Sequence, residues 1–225
     1  MWCVPAIDAE YVQRMEDVLT LYAAPADERE PVVCLDERPV VLHDAERAEL
    51  PARPGQPARR DYEYIRCGTA NVFCIVEPKT GRRLTHATRR RTRRDFARAL
   101  RRVARQHRRA RTIHLVLDNL NTHSETSCIE TFGPTAGAAL WRRFTVHYTP
   151  KHGSWLNAAE LEASLVAREC LGKRRIPALR VLQSEVGRWA SLADANRRTI
   201  NWTFRVDDAR RVFRYHGISS LRSEH

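Results

Sequence analysis

Three acids stand where this chain could do chemistry: Asp36, Asp118 and Glu160. Asp118 closes the apolar run Ile113–Leu117 (IHLVL), and Asp36 closes Val32–Leu35 (VVCL). Short, continuous, β-branched-rich runs read as strands buried on both faces. A carboxylate at the C-terminal end of such a strand lies at the rim where open α/β sheets place their ligands. Two acids brought together there repel unless a proton or a cation lies between them. Hard divalent cations take oxygen ligands, and magnesium is commonly held by one or two carboxylates plus substrate phosphates. The third acid follows TPKHGSWLN (Thr149–Asn157), where Glu160 and Glu162 compete. On a helix over Leu156–Leu171, the residues Leu156, Ala159, Ala163, Ala167 and Cys170 share a face that includes Glu160, and Glu162 falls with Val166 and Glu169 on the wetter side. A carboxylate on a packed face needs a partner, and a metal would serve, which favours Glu160. Spacing alone is weak evidence, because 27 acids offer many triples. Taken alone, Asp118 could equally cap the turn that follows it.

The elements that must position these acids can be read along the chain. Asp8–Tyr22 predicts a helix capped by Asp8, with Val12, Met15, Val18, Leu19 and Tyr22 at helical spacing. A linker rich in Pro, Asp and Glu leads to the strand Val32–Leu35 and then to Val40–Leu42. The loop Pro51–Pro57 follows, with Arg59 and Arg60. Tyr62–Gly68 and Ala70–Glu77 read as two strands, Pro78–Gly81 as a turn and Arg83–Thr88 as a further short strand. Thr92–Arg109 reads as a helix whose Thr92 and Asp95 form a capping box. After the Asp118 strand come helices over Glu125–Phe132 and Ala136–Arg143, a strand over Phe144–Tyr148, and helices over Leu156–Leu171 and Pro177–Ala190. A short amphipathic helix lies within Asn201–Tyr215. A meander followed by strand–helix alternation predicts an α/β fold: a mixed five-stranded sheet with flanking helices, in the ribonuclease-H-like order. The expected divisions are an N-terminal helix and linker over 1–30, a catalytic core over 31–175 and a helical extension over 176–225.

Charge says what the partner is. The net charge is +12, and the pI is near 10.1. Nearly all of it sits between Arg89 and Arg111, where twelve arginines face one acid, Asp95. Such a run repels itself without a polyanion, so nucleic acid is the expected partner. Arg93, Arg94, Arg98, Arg101, Arg102 and Arg105 are the expected phosphate contacts, joined by Lys151 and His152 in the loop before Glu160. No run of eighteen apolar residues exists, so no membrane span is expected. The N-terminus carries no signal-peptide pattern. Six scattered cysteines without a C-x-x-C pair read as buried thiols in a reducing compartment. A zinc site from His114, His123, His147 and His152 lacks ligand spacing.

Five stretches carry a family resemblance: VVCLDE (Val32–Glu37), DYEYIRCGTANVF (Asp61–Phe73), LVLDNLNTH (Leu115–His123), HYTPKHGSWLNAAELE (His147–Glu162) and, more weakly, NWTFRVDDAR (Asn201–Arg210). In these the sequence resembles the DDE transposases of the mariner superfamily, in particular the bacterial insertion sequence 630 type. The resemblance implies a ribonuclease-H-like (retroviral-integrase-like) core and a catalytic, metal-binding triad of Asp36, Asp118 and Glu160. It implies two Mg2+ or Mn2+ ions, and cleavage and strand transfer of double-stranded DNA at insertion-sequence ends. It further implies a TA target, a homodimer, and a place on the nucleoid in the bacterial cytoplasm. Members usually carry an N-terminal helix-turn-helix region, which is not found here. The expectation is therefore the catalytic half of a split or truncated transposase, with a separate helix-turn-helix chain as partner. The rival readings are a non-catalytic DNA-binding remnant and a ribonuclease-H-type nuclease, the latter disfavoured by TPKHGSWLN. Asn119, Asn121 and His123 are open between orienting phosphate and bracing a turn. Trp155 is open between stacking on a base and packing under its helix.

Overall fold

The computed structural model describes residues 7–47, 51–57, 59 and 62–215; Cys3, Arg60 and Asp61 fall outside them. Its elements are α1 (Ala9–Ala23), β1 (Val32–Ala45), β2 (Tyr64–Val76), β3 (Arg83–Thr88), α2 (Arg93–Gln106), β4 (Ile113–Leu117), α3 (Glu125–Phe132), α4 (Pro134–Trp141), β5 (Phe144–Tyr148), α5 (Ala159–Leu165), α6 (Leu179–Ala195) and α7 (Val206–Phe213). The five strands form one mixed sheet in the order β3-β2-β1-β4-β5. β1, β2 and β3 pair antiparallel, whereas β4 pairs parallel with both β1 and β5. This is the predicted mixed five-stranded sheet flanked by helices.

Alternation along the strands divides the core into two faces. Val33, Leu35, Leu115 and Leu117 meet Phe96, Leu100 and Val103 of α2 on one face. Val32, Cys34, Val76 and Val116 meet Met15, Val18 and Leu19 of α1, with Leu156 and Ala159, on the other. Farther along that second face Val40, Leu42, Val72 and Cys74 pack under Ala163 and Val166 and under Leu182 and Val186 of α6. Each such large side chain taken out of water contributes about 1.5–3 kcal/mol.

The capping signals act as expected. Asp8 accepts from the Tyr11 N–H at 2.7 Å, and Thr92 with Asp95 forms a reciprocal capping box. Several boundaries differ from the sequence reading. Val40–Leu42 belongs to β1, and Tyr62–Gly68 with Ala70–Glu77 becomes one strand. The register shifts between Leu42 and His43, and Gly68 at φ 107° absorbs the irregularity, so a bulge takes the place of the expected strand break. The helix predicted over Leu156–Leu171 is a 3-10 turn (Ser154–Leu156), then α5, then a π-helical turn (Val166–Leu171). α6 runs from Leu179 to Ala195, past the predicted Ala190 end. Among the described residues no helix is long and apolar enough to cross a membrane. Cys34, Cys74, Cys128 and Cys170 are free and buried, while Cys67 is free and exposed.

The face assignment of α5 is corrected. Glu160 is exposed and Glu162 is buried, the reverse of the prediction. Glu162 joins Ala159 and Ala163 against the sheet, where its Oε2 accepts from Arg83 Nε at 3.0 Å. Both side chains are fully buried. Burial pushes the Glu162 carboxyl above its usual range, against the pull of Arg83. This pair anchors α5 to the β2–β3 end of the sheet. Removing one partner of a buried pair leaves an uncompensated charge, so Glu162→Ala is expected to cost about 3–5 kcal/mol. Urea denaturation checks this, and Glu162→Ala with Arg83→Met together should cost less than the two single changes summed.

Candidate active site

The site begins with a strand register. Val32 lies beside His114, Val33 beside Leu115 and Cys34 beside Val116. The same offset continued two residues sets Asp36 beside Asp118. Directly opposed residues on parallel strands share a sheet face, and adjacent strands lie about 4.8 Å apart. Both acids therefore fall on the face of Cys34 and Val116, the face that receives α5. The apolar runs before them bury the backbone, and the acids emerge where that burial ends. Asp36 is half-buried, and the Asp118 side chain is 38% exposed.

Glu160 is delivered from above by a pinned loop. The Asn157 side chain donates to the Leu35 carbonyl at 2.8 Å and accepts from the Ala159 N–H at 3.1 Å. The Tyr22 hydroxyl donates to the Leu156 carbonyl at 2.8 Å and accepts from the Ala158 N–H at 3.2 Å. The start of α5 is thus tied to the backbone of β1 one residue before Asp36. Glu160 opens the first turn of α5 on its exposed side. Exposure at the rim suits a ligand that must meet substrate, whereas Glu162 is already engaged by Arg83.

Electrostatics joins the three acids. The Asp36 carboxyl is pushed up to about 7, first by burial and then by the negative charges of Glu160, Glu37 and Asp118. The Glu37 N–H, which donates to Asp36 Oδ1 at 2.7 Å, works the other way. Asp118 Oδ1 is buried and accepts no directed hydrogen bond. It does lie 2.7 Å from His123 Nδ1, but that ring nitrogen is aligned on the Asp118 carbonyl at 3.1 Å. Among the described residues no three His, Cys, Asp or Glu side chains close on one point at metal-ligand range. Like charges this near need a cation or a proton between them to come closer. The all-oxygen donor set, the raised Asp36 and the Asp118 oxygen that does not face His123 fit a hard divalent cation.

The remaining predicted residues are distributed around this rim. α2 packs on the opposite face from Asp36 and Asp118, and its N-terminal end reaches the same rim, where Phe96 stacks on His123 with centroids 4.5 Å apart. Arg94, Arg98, Arg101, Arg102 and Arg105 are exposed. Arg93 bonds Glu130 at 2.5 Å, and Arg101 lies 4.5 Å from the centre of the Phe132 ring. Lys151 and His152 line a cleft of about 660 Å3 together with Asp118, Asn119, Tyr11 and Arg14. Asn119 and Asn121 are exposed and His123 is buried. Trp155 packs among Trp202, Phe204 and Phe213. The four histidines do not converge: His114 and His147 bond each other at 2.9 Å, while His123 is held by Glu37 at 2.8 Å.

Sequence reasoning missed Glu37, Asn157, Tyr22 and Arg38. Arg38 lies two residues past Asp36 on β1, and its Nε is buried without a hydrogen-bond partner. Glu37 had one signal, an acid adjoining Asp36 in VVCLDE; the roles of Asn157 and Tyr22 depend on contacts across more than a hundred residues.

Residues 31–183 match the family described as the DDE superfamily endonuclease. No curated protein matches the chain. Among solved structures, the chain is similar to the Mos1 mariner paired-end complex with Mn, at TM-score 0.53 and 15% identity over 85% of this chain and 58% of that one. A pre-cleavage Mos1 transpososome gives 0.57 and 13% over 100% and 66%. The Mos1 strand transfer complex gives 0.52 and 15% over 85% and 57%. The chain thus spans about three-fifths of the length of those proteins, and at such identity the likeness is one of fold.

Asn157→Ala would strip the Leu35 carbonyl of its partner and the α5 start of its cap. A loss of about 1–3 kcal/mol is expected, with faster hydrogen exchange at Ala159 and Glu160 than elsewhere in α5. Exchange mass spectrometry over Trp155–Leu165 checks it.

Proposed function

The chain belongs to the DDE superfamily endonucleases, and on that premise we propose that it carries the catalytic domain of an insertion-sequence transposase of the 630 type. The observation that carries this reading is the strand register that sets Asp36 beside Asp118, with Glu160 near enough to raise the Asp36 carboxyl. Asp36 and Asp118 would hold divalent metal from adjacent strands, and Glu160 would complete the set from α5. Two Mg2+ or Mn2+ ions, when bound, would supply the charge that clamps the attacking and leaving oxygens of an in-line phosphoryl transfer.

The chain's own residues do the rest. Asp36 is set by backbone pairing within β1, and Asp118 follows directly on the end of β4. Lys151 and His152, across the cleft from Asn119, contact the DNA backbone beside Asp118. The exposed arginines of α2 hold a second length of duplex by its phosphates, without reading sequence. Water attacks the phosphodiester at the element's end and breaks its P–O3′ bond, freeing the element's 3′-hydroxyl and leaving a 5′-phosphate on the flanking strand. That hydroxyl then attacks a target phosphodiester in the same site, joining the element to the target's 5′ side and expelling the target's 3′-hydroxyl. No covalent enzyme intermediate forms, so no Ser or Tyr nucleophile is required. The reading includes a homodimer and action on the bacterial nucleoid.

The full chain is expected to nick supercoiled DNA only with Mg2+ or Mn2+, and Asp118→Asn should lower that rate at least ~100-fold. Equal nicking by the two proteins would remove the proposed role. No nicking by either, with DNA binding intact, would favour a non-catalytic remnant. A separate expectation concerns α2. Changing Arg98, Arg101, Arg102 and Arg105 to Gln should flatten the dependence of log K on log salt by up to about 0.9 for each phosphate that is no longer neutralised. Fluorescence anisotropy at several salt concentrations measures it.

A further inference from the structure

His123 is a buried imidazole with partners on three sides, and the reaction outlined above does not use it. Its Nε2 donates to Glu37 Oε1 at 2.8 Å. Its Nδ1 donates to the Asp118 carbonyl at 3.1 Å and lies 2.7 Å from Asp118 Oδ1. Its ring stacks on Phe96, with centroids 4.5 Å and planes 29° apart. The His123 carbonyl accepts from the Tyr148 hydroxyl at 2.7 Å, and the Thr122 carbonyl accepts from Ser127 Oγ at 2.6 Å. The ring is 1% exposed and the Glu37 side chain 3% exposed. Burial opposes a charge on the ring, but the Asp118 and Glu37 carboxylates outweigh it and lift His123 to about 10.

The placement has a geometric consequence. Glu37 follows Asp36 on β1, so its side chain leaves the opposite face of the sheet. Asp118 lies one residue beyond β4, where ladder hydrogen bonds no longer hold the chain. A carboxylate at a strand end is free to turn unless something braces it. His123 runs from Asp118 to the strand that carries Asp36, and Phe96 fixes the plane of its ring.

We propose that His123 is a positioning residue: a strut, footed on Glu37, that fixes the Asp118 carboxylate in register with Asp36 for metal binding. The strut sets which Asp118 oxygen faces the ring and leaves the other for the site. Its backing of a ligand by a buried, hydrogen-bonded neighbour is the arrangement that tunes metal sites from behind. This inference rests on the metal-site reading of Asp36, Asp118 and Glu160, and its test separates the two.

The measurement is Mn2+ affinity of the full chain, by calorimetry and by the loss of the free-ion electron paramagnetic resonance signal, alongside thermal melting without metal. His123→Phe keeps the stack on Phe96 and removes both polar contacts. Glu37→Ala removes the foot, and Glu37→Gln keeps an acceptor there. His123→Phe and Glu37→Ala should each weaken Mn2+ binding about 10–100-fold. Together they should weaken it no further than the stronger single change, to within about twofold. Glu37→Gln should restore most of the affinity. A purely structural role would lower the melting temperature and leave Mn2+ affinity unchanged. If His123→Phe does not fold, Glu37→Ala and Glu37→Gln carry the test. Asp36→Asn is the control. Wild-type affinity in a folded His123→Phe or Glu37→Ala chain, with binding lost in Asp36→Asn, overturns the strut alone. Wild-type affinity in Asp36→Asn overturns the metal-site reading itself.

Discussion

Two carboxylates set side by side by parallel strand pairing are costly to build, and the rest of the structure is arranged around them. Pairing with β2 fixes Asp36, and Asp118 leaves the end of β4 close to it, two residues past the last β1–β4 pair. Their mutual repulsion, with Glu160 and Glu37 added, joins burial in raising Asp36 to about 7. A fold that only needed stability would place an apolar residue at one of these positions. The apolar runs ahead of each acid supply the rigidity that holds them, since Leu35 and Leu117 are fully buried beneath α2.

Two buried polar arrangements then fix α5. The Arg83–Glu162 pair ties it to the far strands, and Asn157 with Tyr22 ties its first turn to β1. Neither arrangement touches substrate. Both act on Glu160, whose helix would otherwise slide over a face lined by small residues such as Ala158, Ala159 and Ala163. The arginine run of α2 is kept apart from this centre. The arginines of α2 stand on the opposite face, so they can collect phosphate without neutralising the acids. Only the N-terminal end of α2, through Phe96, reaches the rim.

Much of this can be read from the residues because it depends on local pattern. The Ile113–Leu117 run, the Thr92–Asp95 capping box and the Asp8 cap are set by neighbours a few positions away. The preference for Glu160 over Glu162 rests, in the sequence, on a face assignment that the structure reverses. That assignment assumes one continuous α-helix from Leu156. The chain instead enters through a 3-10 turn that takes Leu156 out of the helix, and within α5 the packed face is Ala159, Glu162 and Ala163. On that face Glu162 meets Arg83, far away on β3. Gly68 reads as a strand break because a bulge and a turn use the same positive φ. Glu37 is passed over because nothing local shows that a histidine from the loop after β4 will reach it.

The central claim is that Asp36, Asp118 and Glu160 together bind divalent metal at the sheet rim. Anomalous scattering from a crystal of the full chain grown with Mn2+ tests it most directly. The account predicts a manganese peak between β1 and β4, within about 2.0–2.6 Å of oxygens from Asp36 and Asp118, with Glu160 in the same ligand sphere. A peak elsewhere in the molecule, with these three side chains turned away from one another, would contradict it.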